Sequence, residues 1–236
     1  MNHYIVGCGG VCTYFLPSFF KTINYLKQFK KSKITFVDGD TFETKNLERQ
    51  LFSQDSVGQY KSEALATQYR QQYPGIFVDS INDYITDAFS PENKSLIIGF
   101  VDNHPARRDL LTVADRHKAK VIFAANSTIG AQAFYYDPAW ANTSLDPRIR
   151  YPEILTTDSG SPVRAEGCNT EKRLNEVPQT ALANQFAAFH ALHLWNFWLI
   201  ESKTLDEAQS FQFWPIELNN TFSRLNTITI GDLRDE

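Results

Sequence analysis

Along the first half of the chain the apolar positions switch between two spacings. Residues 4–6 are a short apolar run that stops at Gly7. Residues 11–29 then carry Phe15, Phe19, Ile23 and Leu26 three or four positions apart, the spacing of one helix face. A second apolar run at 34–37 ends on Asp38. Residues 40–58 are mostly polar and lead into a helix predicted over 61–73, which Pro74-Gly75 break. Further strands are predicted at 77–81, 95–101 and 120–124, with a helix over 107–117 between the last two. Strands alternating with helices of this length imply βαβ units, hence an α/β fold with a mostly parallel sheet and flanking helices.

The second half reads differently. Residues 137–179 are polar and rich in Pro, Gly, Ser and Thr, too long a stretch for an ordinary loop, and are read as a long crossing segment or lid. Residues 180–201 predict a largely apolar helix, expected to be buried on most sides. Residues 211–216 and 222–230 flank Asn219-Asn220 and predict a C-terminal antiparallel hairpin. The expected organisation is a nucleotide-binding core over 1–136, the crossing segment over 137–179, and a helix and hairpin over 180–236 that complete the same domain.

Composition narrows the class. At 236 residues the chain can bury a sizeable core without a disulfide or metal staple. With 42% hydrophobic, 21% charged and 14% aromatic residues, disordered and coiled-coil classes are excluded. A net charge of −4 offers no basic stripe, so no direct nucleic-acid partner is expected. Cys8, Cys12 and Cys168 are too few for a disulfide framework and fit a reducing compartment. The most apolar stretch, 186–200, contains His190, His193 and Asn196 and is too short and polar to span a bilayer. No basic-then-apolar leader precedes Tyr4. A cytoplasmic location away from membranes is expected.

Gly7-Cys8-Gly9-Gly10-Val11-Cys12 joins the first predicted strand to the first predicted helix. Glycines there let the backbone turn tightly and approach a nucleotide, while the helix N-terminus offers free N–H groups to phosphate oxygens. Cys12 stands where a third glycine would permit close helix–strand packing. Gly7, Gly9 and Gly10 are thus candidate nucleotide-binding positions of a Rossmann-like fold, although a purely structural turn would read the same. Asp38-Gly39-Asp40 follows the second strand, where an acidic residue accepts hydrogen bonds from ribose hydroxyls. Asp40 is readable as a ligand contact or as a turn residue. An NAD(P)-dependent oxidoreductase would share all of this.

Three further segments narrow the choice: Asn46-Leu47-Glu48-Arg49-Gln50, Val57-Gly58-Gln59-Tyr60-Lys61, and Asp102-Asn103 with Arg107. Taken singly, Arg49 and Lys61 read equally as solvated charges, and Asp102 or Asn103 as a cap for the helix that Pro105 opens. Together with the glycine turn and Val37-Asp38-Gly39-Asp40 they make an ordered set over roughly residues 4–130. The set is Gly-x-Gly-Gly, Val-Asp-x-Asp, Asn-Leu-x-Arg-Gln, Val-Gly-x-x-Lys and Asp-Asn-x-x-x-Arg. In it the chain resembles the ThiF/MoeB/HesA family, bacterial relatives of ubiquitin-activating enzymes.

The resemblance implies an ATP-dependent adenylyltransferase. Its substrate would be the C-terminal carboxylate of a ubiquitin-like (β-grasp) protein or peptide, and pyrophosphate would be released. It places Asp38 on the ribose, Asn46, Arg49 and Lys61 on the phosphates, and Asp102 on Mg²⁺; Arg107 fits the pattern but is read as structural. Those residue types suit the chemistry. A carboxylate attacking the α-phosphate brings two anions together, so the site must supply the forked charge of Arg, the point charge of Lys and a metal ion. The attacking carboxylate is already ionised at neutral pH and needs no general base.

The chain also departs from the family. Several members hold a structural zinc with two Cys-x-x-Cys pairs; three separated cysteines cannot, so no zinc is predicted. His190 and His193 share a helix face and are read as packed or hydrogen-bonded. Some homodimeric members reach the partner's ATP site with an arginine on a helix before the first strand. Only Met1-Asn2-His3 stand there, which weakens the homodimer that the resemblance implies. Cys168 lies in a region where relatives carry a thioester or persulfide cysteine, with Lys172 and Arg173 nearby to lower its pKa. It is a candidate nucleophile or acceptor of the activated group, whereas Cys8 and Cys12 are read as packing residues. The chain ends without a Gly-Gly tail, so the expected substrate is a separate molecule. A non-catalytic subunit of a heterodimeric activating enzyme is the other alternative, for which Arg49, Lys61 and Asp102 together have little use.

Overall fold

The computed structural model describes residues 2–26, 32–92, 95–126, 131–156, 181–204, 216–218 and 225–227. Five strands run parallel: β1 (Asn2–Val6), β2 (Lys33–Val37), β3 (Phe77–Ile81), β4 (Ser95–Gly99) and β5 (Lys120–Asn126). β6 (Ala131–Tyr136), β7 (Ile216–Leu218) and β8 (Leu225–Thr227) continue the sheet antiparallel, in the order β3-β2-β1-β4-β5-β6-β7-β8. The expected α/β class is present, a mostly parallel sheet with flanking helices and an antiparallel extension.

Side chains of the central strands alternate between two cores. Ile5, Ile98, Ile122 and Phe36 face helices α1 (Gly10–Tyr25), α2 (Lys61–Gln72) and α6 (Ala181–Thr204). Tyr4, Val6, Ile97, Val121 and Phe123 face α3 (His104–His117). Sheets covered on both faces bury both sets of side chains, which is why these strands read as apolar runs without a polar face. α1 contributes Phe15, Leu16, Phe19, Phe20 and Ile23, all fully buried. It ends at Tyr25 rather than at 29, because Leu26 leaves helical backbone with ψ at 100°. α3 starts three residues before the predicted 107, because the Asn103 side chain accepts from the Ala106 N–H at 2.8 Å and caps it there.

β6 was not predicted. Its Ala131 and Ala133 are weak strand formers, and its place is set by antiparallel pairing with β5, Ala124 opposite Ala133. The hairpin was predicted, but the β7–β8 register, Ile216 with Thr227 and Leu218 with Leu225, is centred between residues 221 and 222 rather than on Asn219-Asn220.

The expectation that the long C-terminal helix is buried on most sides needs correction. α6 lays Ala183, Ala187, Ala188, Ala191, Leu194, Trp195 and Trp198 into the core but leaves Leu182, Phe186 and Phe189 exposed. Those three recur at helical spacing on one stripe. No described helix is long and apolar enough to cross a membrane.

The described start of the crossing segment, residues 137–156, is seated on the core by α4 (Pro147–Arg150) and α5 (Glu153–Thr156). Arg148 on α4 donates to Asp146 at 2.9 and 2.8 Å, to Asp115 on α3 at 2.7 Å and to the Tyr136 hydroxyl at 2.8 Å. Asp146 is only 1% exposed, so removing its partner leaves a buried charge that only backbone N–H groups solvate. Arg148→Ala is expected to lower stability by about 2–3 kcal/mol. Urea unfolding checks it, and a loss under about 0.5 kcal/mol would show that the network adds little.

Candidate active site

The sheet order reverses direction at β1: the chain moves outward to β2 and β3, then returns to β4 on the other side. In open parallel sheets this switch point, at the carboxyl ends of the strands, is where ligands bind. Val6 pairs with Val37 and with Gly99, so Gly7, Asp38 and Phe100 leave the sheet at one level.

The glycines of the turn have different reasons to be glycine. Gly7 has φ of +85°, and a Cβ there would lie 2.8 Å from the Phe100 carbonyl oxygen; both conformation and space require its lack of a side chain. Gly9 caps α1 with extended backbone, and none of the described residues lies within 4 Å of a Cβ built on it, its chain neighbours aside. Gly9 has no side chain with which to cap α1, so the first N–H groups of the helix are not satisfied by their own N-cap and carry its positive partial charge.

Asp38 is nearly buried. Its Oδ2 accepts from the Cys8 N–H at 2.6 Å and its Oδ1 from the Asp40 N–H at 2.8 Å, tying the glycine turn to the loop after β2. Burial raises its pKa, against the nearby Lys61 ammonium and these two N–H groups. Both oxygens already serve the protein's own backbone. Asp40 is more open: its Oδ2 faces Lys61 Nζ at 3.3 Å, and its Oδ1 accepts from the Tyr84 hydroxyl. The Tyr84 ring covers Gly39, where a Cβ would come within 2.7 Å of it.

Lys61 is the first residue of α2 and only 4% exposed. Its backbone N–H donates to the Asp40 carbonyl at 2.9 Å, and the neighbouring Ser62 hydroxyl to the Asp38 carbonyl at 2.9 Å. Asn46, 2% exposed, shapes its own loop: its Oδ1 accepts from the Glu43 N–H at 2.9 Å, and its carbonyl accepts from the Arg49 and Gln50 N–H groups. The turn so formed carries Arg49, itself 9% exposed. Thr13 of α1 holds that loop from below. Its hydroxyl accepts from the Leu51 N–H at 3.1 Å and donates to the Gly10 carbonyl at 2.9 Å.

Asp102 is exposed, two residues past the β4 exit, beside the Asn103 cap of α3. Arg107 donates to the Val101 carbonyl at 3.4 Å. Cys8 and Cys12 are both fully buried, and burial pushes the Cys8 thiol up, away from a reactive thiolate. Cys168 lies outside the described residues. Of the predicted set, the fold therefore gathers Gly7, Gly9, Gly10, Asp38, Asp40, Asn46, Arg49 and Lys61 around one turn, with Asp102 at the adjacent strand end. Sequence reasoning missed Thr13, Ser62, Tyr84 and Asn184. Ser62 had a local signal, being next to Lys61; the others had none.

This geometry is that of an α/β domain in which a glycine turn and two buried cations, Arg49 and Lys61, stand at the switch point of the sheet. The sequence profile of the ThiF family matches residues 1–194, and the chain belongs to that family. No curated protein matches it by sequence. Among solved structures it is similar to PaaA, at 15% identity over 97% of this chain and 64% of that one, with a TM-score of 0.59. MccB of E. coli with AMPCPP and MccA shares 16% identity over 97% of this chain and 62% of its own, with a TM-score of 0.61. TcdA of E. coli, a tRNA N6-threonylcarbamoyladenosine dehydratase in complex with AMP, shares 18% over 87% and 88%, with a TM-score of 0.55. The chain thus spans somewhat under two thirds of the length of PaaA and MccB, and at these identities the likeness is one of fold.

Proposed function

We propose that the protein is an ATP-dependent adenylyltransferase that joins AMP to the carboxylate of a separate protein or peptide and releases pyrophosphate. The observation that carries this reading is the buried Lys61, paired with the more open Asp40, beside the glycine turn at the sheet's switch point. A dinucleotide needs the turn and an acidic residue; it has less use for a buried Lys61 beside that turn and a buried Arg49 on the neighbouring loop. Membership of the ThiF family supports the reading, as do similar structures solved with ATP, with AMPCPP and MccA, and with AMP.

In this reading the α1 N–H groups and the room at Gly9 take a phosphate, and Arg49 and Lys61 offset the charge of the triphosphate. Asp40 and Asp38 are the acidic groups nearest the ribose, Asp40 through its open carboxylate and Asp38 by fixing the loop. Asn46 acts through the turn that carries Arg49. Asp102 is a hard oxygen donor suited to Mg²⁺. Among the described residues no cluster of three or more metal-binding side chains forms. Such an ion would therefore sit on Asp102 with phosphate and water oxygens, the usual style of Mg²⁺ sites. When bound it neutralises charge on the departing pyrophosphate. Catalysis is then positioning plus electrostatic stabilisation, with no general base. A ubiquitin-like substrate, onward transfer to Cys168 or to sulfur, and a cytoplasmic, homodimeric enzyme extend the same proposal. So does the division into a 1–136 nucleotide-binding core, a 137–179 crossing segment or lid and a completing 180–236 region.

The test is ATP–pyrophosphate exchange by the purified protein, with and without fractions of its native lysate, Asp102→Ala serving as the blank. Exchange that depends on a fraction supports carboxylate activation. Absence of Mg-ATP binding overturns the reading. Gly9→Ala provides an independent check of the phosphate's place. The variant is expected to lose at most about 1 kcal/mol of stability while weakening ATP binding by at least about tenfold. Unchanged binding would move the phosphate elsewhere.

A further inference from the structure

Asn184 lies 135 residues from Arg49 in sequence and 1% exposed on α6, in a stripe otherwise made of Ala183, Ala187, Ala188 and Ala191. Its Nδ2 donates to the Arg49 carbonyl at 3.2 Å. Its amide also lies against Gly10: a Cβ on that glycine would come within 2.4 Å of Nδ2, 2.7 Å of Cγ and 2.8 Å of Oδ1. The Oδ1 atom is buried and has no hydrogen-bond partner among the described residues. An amide with an unmet acceptor in an alanine stripe costs stability relative to alanine, on both desolvation and helix propensity. Its reason therefore lies in what it holds. It touches both the loop that presents Arg49 and the first residue of α1, and Thr13 links the same two segments by a separate route.

Resting on the nucleotide site proposed above, we infer that Asn184 is a positioning residue, which sets the Arg49 loop and the start of α1 in register for the phosphates. Gly10 is then a glycine because Asn184 packs on it, not because a phosphate must approach it. A misplacement of the charged groups on the order of 1 Å is enough to cost about 100-fold, so the clamp acts on nucleotide affinity although it touches no ligand.

The test measures the Kd of AMPCPP with Mg²⁺ and the thermal midpoint for the full chain and for Asn184→Ala, Gly10→Ala and the double variant. Asn184→Ala is expected to keep its midpoint within about 2 °C of the parent, or above it, while weakening AMPCPP by at least about tenfold. Gly10→Ala is expected to weaken binding comparably when Asn184 is present. It should add less than about threefold on the Asn184→Ala background, where the Cβ has room, since contacting residues couple non-additively. Unchanged affinity in a folded Asn184→Ala overturns the inference. So does a midpoint loss with unchanged affinity, or a Gly10→Ala penalty that is the same on both backgrounds. Failure of the parent protein itself to bind AMPCPP overturns the nucleotide-site reading and the positioning role with it, and is read on a different sample from the variants.

Discussion

Lys61→Ala is expected to lower ATP–pyrophosphate exchange by at least about 100-fold, the usual loss when one preorganised charge is removed from a reacting centre. Lys61 is almost fully buried at the N-terminus of α2, a place where the helix dipole disfavours a cation. Stability does not ask for it there. Its ammonium faces Asp40 at 3.3 Å and offsets the buried Asp38. Without it, Asp38 and Asp40 stand beside the glycine turn without the Lys61 charge that offsets them, and an incoming triphosphate is repelled. Asp38 would also protonate more readily, since Lys61 is what opposes the upward push of burial. Lys61→Met, which keeps the stem but not the charge, should behave as Lys61→Ala does. Both variants are to be checked for intact unfolding transitions. Exchange above about a tenth of the parent's in a folded Lys61→Met would show that this charge is not used in the reaction.

The second large effect is a loss of stability in mild acid, traced to His3. It is fully buried on β1, with Phe19, Trp195 and Trp198 rings 5.5, 6.4 and 6.5 Å away, and its Nε2 accepts from Trp195 Nε1 at 3.4 Å. Burial holds its pKa down to about 3, from an ordinary 6.5. Below pH 6.5 the unfolded chain therefore binds a proton at this residue that the folded chain refuses until about pH 3. The stability is present in full above the ordinary value. It falls through the window as pH drops, by about 1.4 kcal/mol per pH unit once well inside it. His190, also buried with a lowered pKa, adds in the same direction. Asp38, whose pKa is raised, works oppositely at acid pH. The comparison that isolates His3 is with His3→Gln, which keeps an acceptor for Trp195 and does not titrate. Between pH 7 and 5 the urea midpoint of the parent should fall more than that of the variant. Parallel midpoints would mean that His3 is protonated in the folded protein.

How far the sequence could be read depends on the range of each signal. Glycine, proline and apolar period act over a few residues, so β1 to β5 and the helices between them were legible, as were the strand ends where Gly7, Asp38 and Asp102 stand. β6 was not: its Phe134-Tyr135-Tyr136 are strand formers, but Ala131 and Ala133 are weak ones, and pairing with β5 makes the whole segment a strand. The site shows the same division more sharply. The ordered motif named the residues but not their tasks. Asp38 and Asn46 read as ligand contacts; the fold adds that Asp38 accepts a backbone N–H on each oxygen, from Cys8 and Asp40, and Asn46 one on its Oδ1, so each also holds backbone in place. A loop held close to the sheet must satisfy its buried donors before it can serve a ligand. Cys168, a candidate on sequence grounds, falls outside the described residues.

By itself, then, the sequence determined the family, the βαβ order, the glycine turn and the placing of Arg49 and Lys61 in the segment after β2, since each of these is written in local spacing. Tertiary structure alone decided which polar atoms are already used, that Lys61 is buried against Asp40, that Tyr84 closes over Gly39, and that Asn184 meets Gly10 and Arg49. Those contacts join residues as far apart in sequence as Asn184 and Arg49, 135 positions, and Asn184 and Gly10, farther still. Their energies depend on burial and on the partner's exact angle of approach, which no residue's neighbours in sequence can specify.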